Sequence, residues 1–429
     1  MVLYFIAKII MTPALSCYFR KATFLGENRI PAKGPVVVIS NHAASFLDAI
    51  VMGVMLKRSI HFYARGDIFK KPWVRYVLGK LHMIPIFSAD LAKNDLHRNA
   101  RSFDKGAEVL KNGGLLLIFP EGLSRLERNI MPLKKGASRI ILQAVDSNEE
   151  TNVKVVPIGI HYSKHAFRAD LQMIVGEVLD ASKYRAEYRD NAPKTVNALN
   201  DVLEEIFRDV VLYVEQNERS LIIEQQLEML SNEHAKKFSP EVFRKQKELC
   251  ETVSMMDSVK IKEQKQLQDG YFSQLSYQDL NDSCFTGGTR RSVPLFVLLL
   301  CFPLFAVGAL LNIIPYMFGK NVADKKVTRA DFYTSVLVAV SAFSYVIWLV
   351  IWLSIGMILN SDLILMTFAI SPFLAWIALW WMDEFRKWKL QNRFDTLRSS
   401  DPELIKRLVA LRERVRDLDP DLQHHRQIV

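Results

Sequence analysis

The chain has 429 residues, 50% of them hydrophobic and 24% charged, with a formal net charge of +10. That length is too great for one small domain, and so much charge beside so much apolar sequence implies polar parts segregated from wholly apolar segments. A basic balance suits nucleic acid, an anionic membrane face or a phosphorylated substrate, and the apolar segments described below turn the choice away from nucleic acid.

Residues 1–24 open with "MVLYFIAKIIMTPALSCYFR", apolar but interrupted by Lys8, Pro13 and Arg20. A signal peptide has basic residues first, and none stands there. An uncleaved helix resting at a membrane interface is expected instead. Residues 25–190 then alternate between strand and helix patterns. Gly34-Pro35 opens an apolar strand at 36–39. Further strands are expected at 58–63, 115–119 and 153–161, with helical periods at 99–110 and 137–145. Such alternation predicts an α/β domain, a mostly parallel sheet flanked by helices.

In open α/β sheets ligands bind beyond the carboxyl ends of the strands, and the polar residues cluster at those ends. The first strand delivers Asn41, His42 and Asp48 in "SNHAASFLD". The second leads into Arg65, Asp67, Lys70 and Lys71 in "YARGDIFKKP". The third leads into Glu121, Gly122, Ser124 and Arg125 in "FPEGLSR". The fourth is the apolar run "VVPIGIHYS".

These four segments, in this order, resemble the glycerolipid acyltransferase family. The family's first motif is usually Asn-His-x4-Asp, and its third is Phe-Pro-Glu-Gly-x-Ser/Arg. The resemblance covers roughly residues 30–180. The stretch "FPEGLSRLERNIMPLKKGASRI" and a C-terminal block with "LNIIPY" are similar to the branch of fungal-type glycerol-3-phosphate and dihydroxyacetone-phosphate acyltransferases and their bacterial relatives. One departure is clear: five residues, not four, separate His42 from Asp48. The resemblance implies an acyltransferase catalytic domain at 25–190, with His42 and Asp48 catalytic. It also assigns Glu121 and Gly122 to acceptor binding, and Arg65, Ser124 and Arg125, in the same segments, are expected to bind the acceptor and its phosphate with them.

The residues themselves support that chemistry. Acyl transfer from a thioester to an alcohol needs no enzyme nucleophile, only a base for the hydroxyl proton. His42 can serve near neutral pH, with Asp48 fixing its tautomer. On a regular helix a separation of six turns two side chains about 600° apart, so the segment must bend, and the extra residue predicts a small bulge. The acceptor phosphate needs cations, for which Arg65, Arg125, Lys134 and Lys135 are candidates. Metal is not required. The four cysteines, Cys17, Cys250, Cys284 and Cys301, have neither metal-ligand nor disulfide spacing. No cofactor is expected beyond acyl-CoA or acyl-carrier protein as co-substrate. The expected reaction acylates glycerol 3-phosphate; the runner-up acylates 1-acylglycerol 3-phosphate. A lipid-binding module that has lost its chemistry is the non-enzymatic alternative. A lipid hydrolase would carry a Gly-x-Ser-x-Gly elbow, which is absent from the sequence.

From 191 to 289 the pattern is helical, with Leu199, Leu203, Ile206, Val210 and Val214 at helical spacing and a linker at Gly287-Gly288. A membrane block is expected at 290–383. The runs 293–318, 333–359 and 363–382 carry no Asp, Glu, Lys, Arg or His, and each is about the ~20 residues a helix needs to cross a bilayer. Basic residues flank the first run on both sides: Arg290 and Arg291 before it, Lys320, Lys325, Lys326 and Arg329 after it. Of the two courses open to 293–318, re-entrant or spanning, the positive-inside rule favours re-entry, with breaks at Pro303 and Pro315. The last two runs would form a spanning hairpin. The catalytic domain and the helical tail, 384–429, would face the cytoplasm. The expected partners are the bilayer, the acyl donor and a glycerol-3-phosphate-type acceptor, with no nucleic acid.

Overall fold

The computed structural model describes residues 2–87, 99–147, 149, 152–234, 239–286 and 293–418. The chain divides into two compact units. Residues 1–126, 131–211 and 318–346 form the first; residues 127–130, 212–317 and 347–429 form the second.

The first unit is built on an eight-stranded sheet. Its strands are β1 (Phe19–Leu25), β2 (Val36–Ser40), β3 (Ile60–Arg65), β4 (Met83–Ile86), β5 (Leu115–Ile118), β6 (Lys154–Tyr162), β7 (Ala169–Val175) and β8 (Leu179–Asp180). Across the sheet the order is β1-β7-β6-β2-β5-β3-β4, with β8 beside β6. β6, β2, β5, β3 and β4 run parallel, β7 is antiparallel to β6, and β1 is parallel to β7. This is the expected α/β class with a mostly parallel sheet. The central strands read as unbroken apolar runs because both faces are covered: Val36 to Ile39 and Leu115 to Leu117 are all wholly buried. Each such side chain contributes about 1.5–3 kcal/mol by leaving water.

Four strands lie outside the sequence reading, namely β1, β4, β7 and β8. The N-terminal helix α1 (Val2–Tyr18) stops at Tyr18, and the following residues, expected as part of that helical segment, join the sheet as β1. Arg20 and Lys21 obscured this strand by lowering its apolar content. In the fold Arg20 is held by Asp170 on β7, its Nε donating at 2.9 Å. The strand expected at 58–63 is β3, shifted to 60–65, so that Arg65 ends it.

α1 docks by one face. The Tyr4 hydroxyl accepts from the Ile60 amide (3.2 Å), and Lys8 Nζ donates to the Leu56 carbonyl (2.6 Å). Val2, Phe5, Ile6 and Ile9 stay exposed on the helix. The remaining helices of the α/β layers are α2 (Phe46–Met55), α3 (Pro72–Lys80), α4 (Asn99–Lys111), α5 (Gly136–Asp146), α6 (Arg185–Asp190) and α7 (Ala192–Arg208). α7 buries Leu199, Leu203 and Phe207, and its Asn200 bonds Ser138 on α5 (3.1 Å). The first unit therefore runs past residue 190, the boundary suggested by the change of periodicity.

In the second unit α8 (Ser220–Glu233) and α10 (Ser258–Tyr277) pack with the helix α14 (Pro402–Arg416), and α9 (Pro240–Met255) packs against α8. Arg412 fastens α14 through Asp282 (2.7 Å) and Glu233 (3.1 Å), and Tyr271 donates to the same Asp282 (2.9 Å). Among the described residues three helices are long and apolar enough to cross a membrane: α11 (Leu295–Lys326), α12 (Ala330–Ile358) and α13 (Asp362–Ser400). The re-entrant turn expected in the first of them does not form. Pro303 and Pro315 lie inside an unbroken helix of 32 residues. In apolar surroundings an opened backbone would leave polar groups unpaired, which keeps a proline-containing helix intact. The linker glycines Gly287-Gly288, with Arg290 and Arg291, lie outside the described residues.

Candidate active site

Parallel pairing brings the candidate residues to one edge. Ile39 of β2 is in register with Ile118 of β5, and Leu117 of β5 with Phe62 of β3. The segments that follow therefore leave the sheet side by side, at about 4.8 Å spacing. Asn41 anchors the first: its side chain accepts from the Ile160 amide (2.7 Å) and donates to the Ile160 carbonyl (2.8 Å) on neighbouring β6.

The chain then turns so that His42 and Asp48 meet, with His42 Nδ1 2.8 Å from Asp48 Oδ2. The extra residue is absorbed at Ser45, which has φ 50° and ψ −136°. The Leu47 amide closes the turn onto the Ala44 carbonyl at 3.1 Å. Asp48 thereby sits in the first turn of α2, completely buried. Burial of a carboxylate requires donors, and three are present. Besides His42, the Ala44 amide donates to Oδ2 (2.9 Å) and the Tyr162 hydroxyl to Oδ1 (2.6 Å). Burial and the adjacent Asp48 push the Tyr162 hydroxyl well above its ordinary pKa, so it remains a donor. With Nδ1–H committed to the carboxylate, Nε2 is the bare nitrogen. The imidazole is held flat against Phe119, ring centroids 4.0 Å apart and planes 11° from parallel.

The segment after β5 wraps around this pair. Ser124 Oγ accepts from the Ser45 amide (2.9 Å), and the Arg125 amide donates to the His42 carbonyl (3.0 Å). Glu121 is buried and accepts from the Met131 amide at 3.4 Å. Burial raises its pKa, while the Met131 amide, the His42 ring and amide, and the Arg125 charge pull the other way. Gly122 adopts φ 73°, a conformation that favours glycine. The Lys134 side chain lies over it, with Nζ 2.7 Å from where a Cβ would stand.

Arg65 ends β3, exposed, and grips Asp67 in a bidentate pair (3.1 and 2.7 Å). His161, at the end of the fourth segment, is bound through Nε2 to the Val210 carbonyl (2.8 Å). Two contributors escape sequence reasoning: Tyr162, which reads as the tail of an apolar strand, and Ser335, a small residue on α12 whose hydroxyl reaches Ala44 and Leu47. Nothing local to either residue signals its contact. Among the described residues no group of three or more His, Cys, Asp or Glu side chains is placed to hold a metal.

The family model described as Acyltransferase matches residues 21–161. The chain is 30% identical over 157 residues to the chloroplastic 1-acyl-sn-glycerol-3-phosphate acyltransferase BAT2 of Brassica napus, covering 36% of this chain and 41% of that protein. It is 33% identical over 103 residues to glycerol-3-phosphate O-acyltransferase 2 of Saccharomyces cerevisiae, covering 24% and 14%. Both relatives therefore extend well beyond the matched stretch. Among solved structures, the 1-acyl-sn-glycerophosphate acyltransferase PlsC of Thermotoga maritima aligns with a TM-score of 0.36 at 18% identity, over 49% of this chain and 80% of that one.

Proposed function

We propose that this chain is a glycerolipid acyltransferase through residues 21–161, the stretch that the Acyltransferase family model matches, and that it is a membrane-bound O-acyltransferase acting on glycerol 3-phosphate. The observation that carries the reading is the 2.8 Å contact between His42 and the buried Asp48 at the edge where Glu121 also emerges. His42 Nε2 takes the proton of the acceptor hydroxyl as its oxygen attacks the thioester carbonyl. The new C–O bond forms and the C–S bond breaks. The departing thiolate receives the proton back from the imidazolium, leaving an ester and a free thiol. Asp48 stabilises that imidazolium. Glu121 accepts a hydrogen bond from a glycerol hydroxyl. Arg125, Lys134 and Arg65 supply positive charge for the phosphate, while Ser124 and the Arg125 backbone brace the His42 segment. Acyl-CoA or acyl-carrier protein is the co-substrate. The exposed apolar residues of α1 and the three long apolar helices hold the protein at the bilayer, where acyl donor and product partition.

The second acceptor, 1-acylglycerol 3-phosphate, is favoured by the name of the Brassica relative. One assay separates the two: purified protein, labelled acyl thioester, and each acceptor offered alone. Product only with the lysolipid moves the assignment to the second acylation, and product with neither removes it. The catalytic unit faces the cytoplasm, together with the basic turn Lys325 to Arg329. A cysteine placed at Lys325 and labelled by an impermeant reagent from outside intact cells would contradict that orientation.

A further inference from the structure

The turn that brings Asp48 to His42 is strained. The angles at Ser45, φ 50° and ψ −136°, are those of the first central residue of a type II′ turn, where glycine is the usual occupant. A non-glycine residue there costs about 1–3 kcal/mol and persists only where its surroundings hold it. One hold comes from the same sheet edge, the Ser124 hydroxyl on the Ser45 amide (2.9 Å). Two more come from a single side chain 291 residues away from Ala44. Ser335, wholly buried on α12, donates to the Ala44 carbonyl and accepts from the Leu47 amide at 3.0 Å. Its neighbours close on the same turn. Arg329 Nη2 reaches the Ser124 carbonyl (3.4 Å), and the Phe332 ring meets Phe46 edge-on, centroids 6.3 Å apart.

We propose that Ser335 is a positioning residue for acyl transfer: its hydroxyl bridges the two ends of the strained turn and so fixes His42 against Asp48. The first turns of α12 are then part of the active unit, although they follow the matched family segment by well over a hundred residues. This rests on the reading of His42 as the base. Without the hydroxyl, the Ala44 carbonyl loses the Ser335 donor and the Leu47 amide keeps only its 3.1 Å bond within the turn. The turn, not the sheet, is what loosens. Ser341 on the same helix provides the control, because its buried hydroxyl has no hydrogen-bond partner among the described residues.

The test uses the full chain in lipid nanodiscs, as wild type, Ser335→Ala and Ser341→Ala. Steady-state kinetics are read beside amide hydrogen exchange of the segment 43–48. Ser335→Ala should lower kcat about 10- to 100-fold through misplacement of the pair, with KM for both substrates within about twofold. It should speed exchange in 43–48 while leaving exchange in the central strands unchanged. Ser341→Ala should change none of these. Wild-type kcat or unchanged exchange in Ser335→Ala overturns the proposal, as do equal losses in both variants with a lowered melting temperature. If the wild type transfers no acyl group, the acyl-transfer reading fails, and exchange alone judges the bridge: faster exchange upholds it, unchanged exchange overturns it.

Discussion

Replacing Asp48 by Asn tests the proposed catalytic role of the His42–Asp48 pair without changing its shape. The carboxylate accepts from His42, the Ala44 amide and the Tyr162 hydroxyl at 2.8, 2.9 and 2.6 Å. An amide has one oxygen, so it can satisfy only one side of this arrangement as an acceptor. With the oxygen toward His42 and Ala44, the amino group faces Tyr162, whose hydroxyl can turn and accept. The fold is preserved, but the charge beneath the imidazolium is gone. A charge-assisted hydrogen bond contributes about 1.5–3 kcal/mol, and this one strengthens as His42 gains its proton. Loss of about 3 kcal/mol in the transition state lowers kcat by at least ~10²-fold. If the amide settles the other way, the ring adopts the tautomer that cannot accept a proton at Nε2, and the loss approaches ~10⁴-fold. The assay is single-turnover formation of labelled ester, with circular dichroism as the check on folding. A folded Asp48→Asn protein with kcat within about threefold of wild type would refute the assignment of His42 as a base supported by Asp48.

His42→Ala should lower turnover by at least ~10²-fold with an unchanged melting temperature; a purified variant at wild-type rate would end the base assignment. Tyr162→Phe leaves Asp48 Oδ1 without its 2.6 Å donor, so it should cost about 1–3 kcal/mol in denaturant unfolding and reduce kcat as well; an unperturbed variant would show that the bond is dispensable. Glu121 carries a pKa raised mainly by burial. The folded state therefore holds that proton more tightly than the unfolded one, and stability is present in full below the unfolded pKa and is lost as pH rises through the folded one. Glu121→Gln should accordingly melt higher than wild type near pH 7 but not near pH 4, while its KM for the acceptor rises; equal melting near pH 7 would contradict the burial argument. Lys134→Ala should raise the acceptor KM more than it lowers kcat, since its ammonium lies over Gly122; an unchanged KM would remove it from the phosphate site.

The residue string by itself determined the fold class, because strands covered on both faces must be apolar throughout, as Val36–Ile39 and Leu115–Leu117 are. It also singled out His42, Asp48, Glu121 and Gly122, because strand ends in a parallel sheet deliver their polar residues to one edge. The long apolar helices were legible for the simplest reason, length without charge. What local pattern could not carry was anything settled by a partner far along the chain. β1 exists because β7 offers it an edge and Asp170 receives Arg20. The break expected at Pro303 and Pro315 is absent because unpaired backbone is costlier there than a proline within a helix. The five residues between His42 and Asp48 are accommodated by a left-handed Ser45 that Ser124 and Ser335 hold in place, and no periodicity or spacing near residue 45 or residue 335 encodes that encounter. Side-chain type and period are local properties, whereas the closure of a strained turn depends on which distant groups the packed chain happens to bring within hydrogen-bond reach.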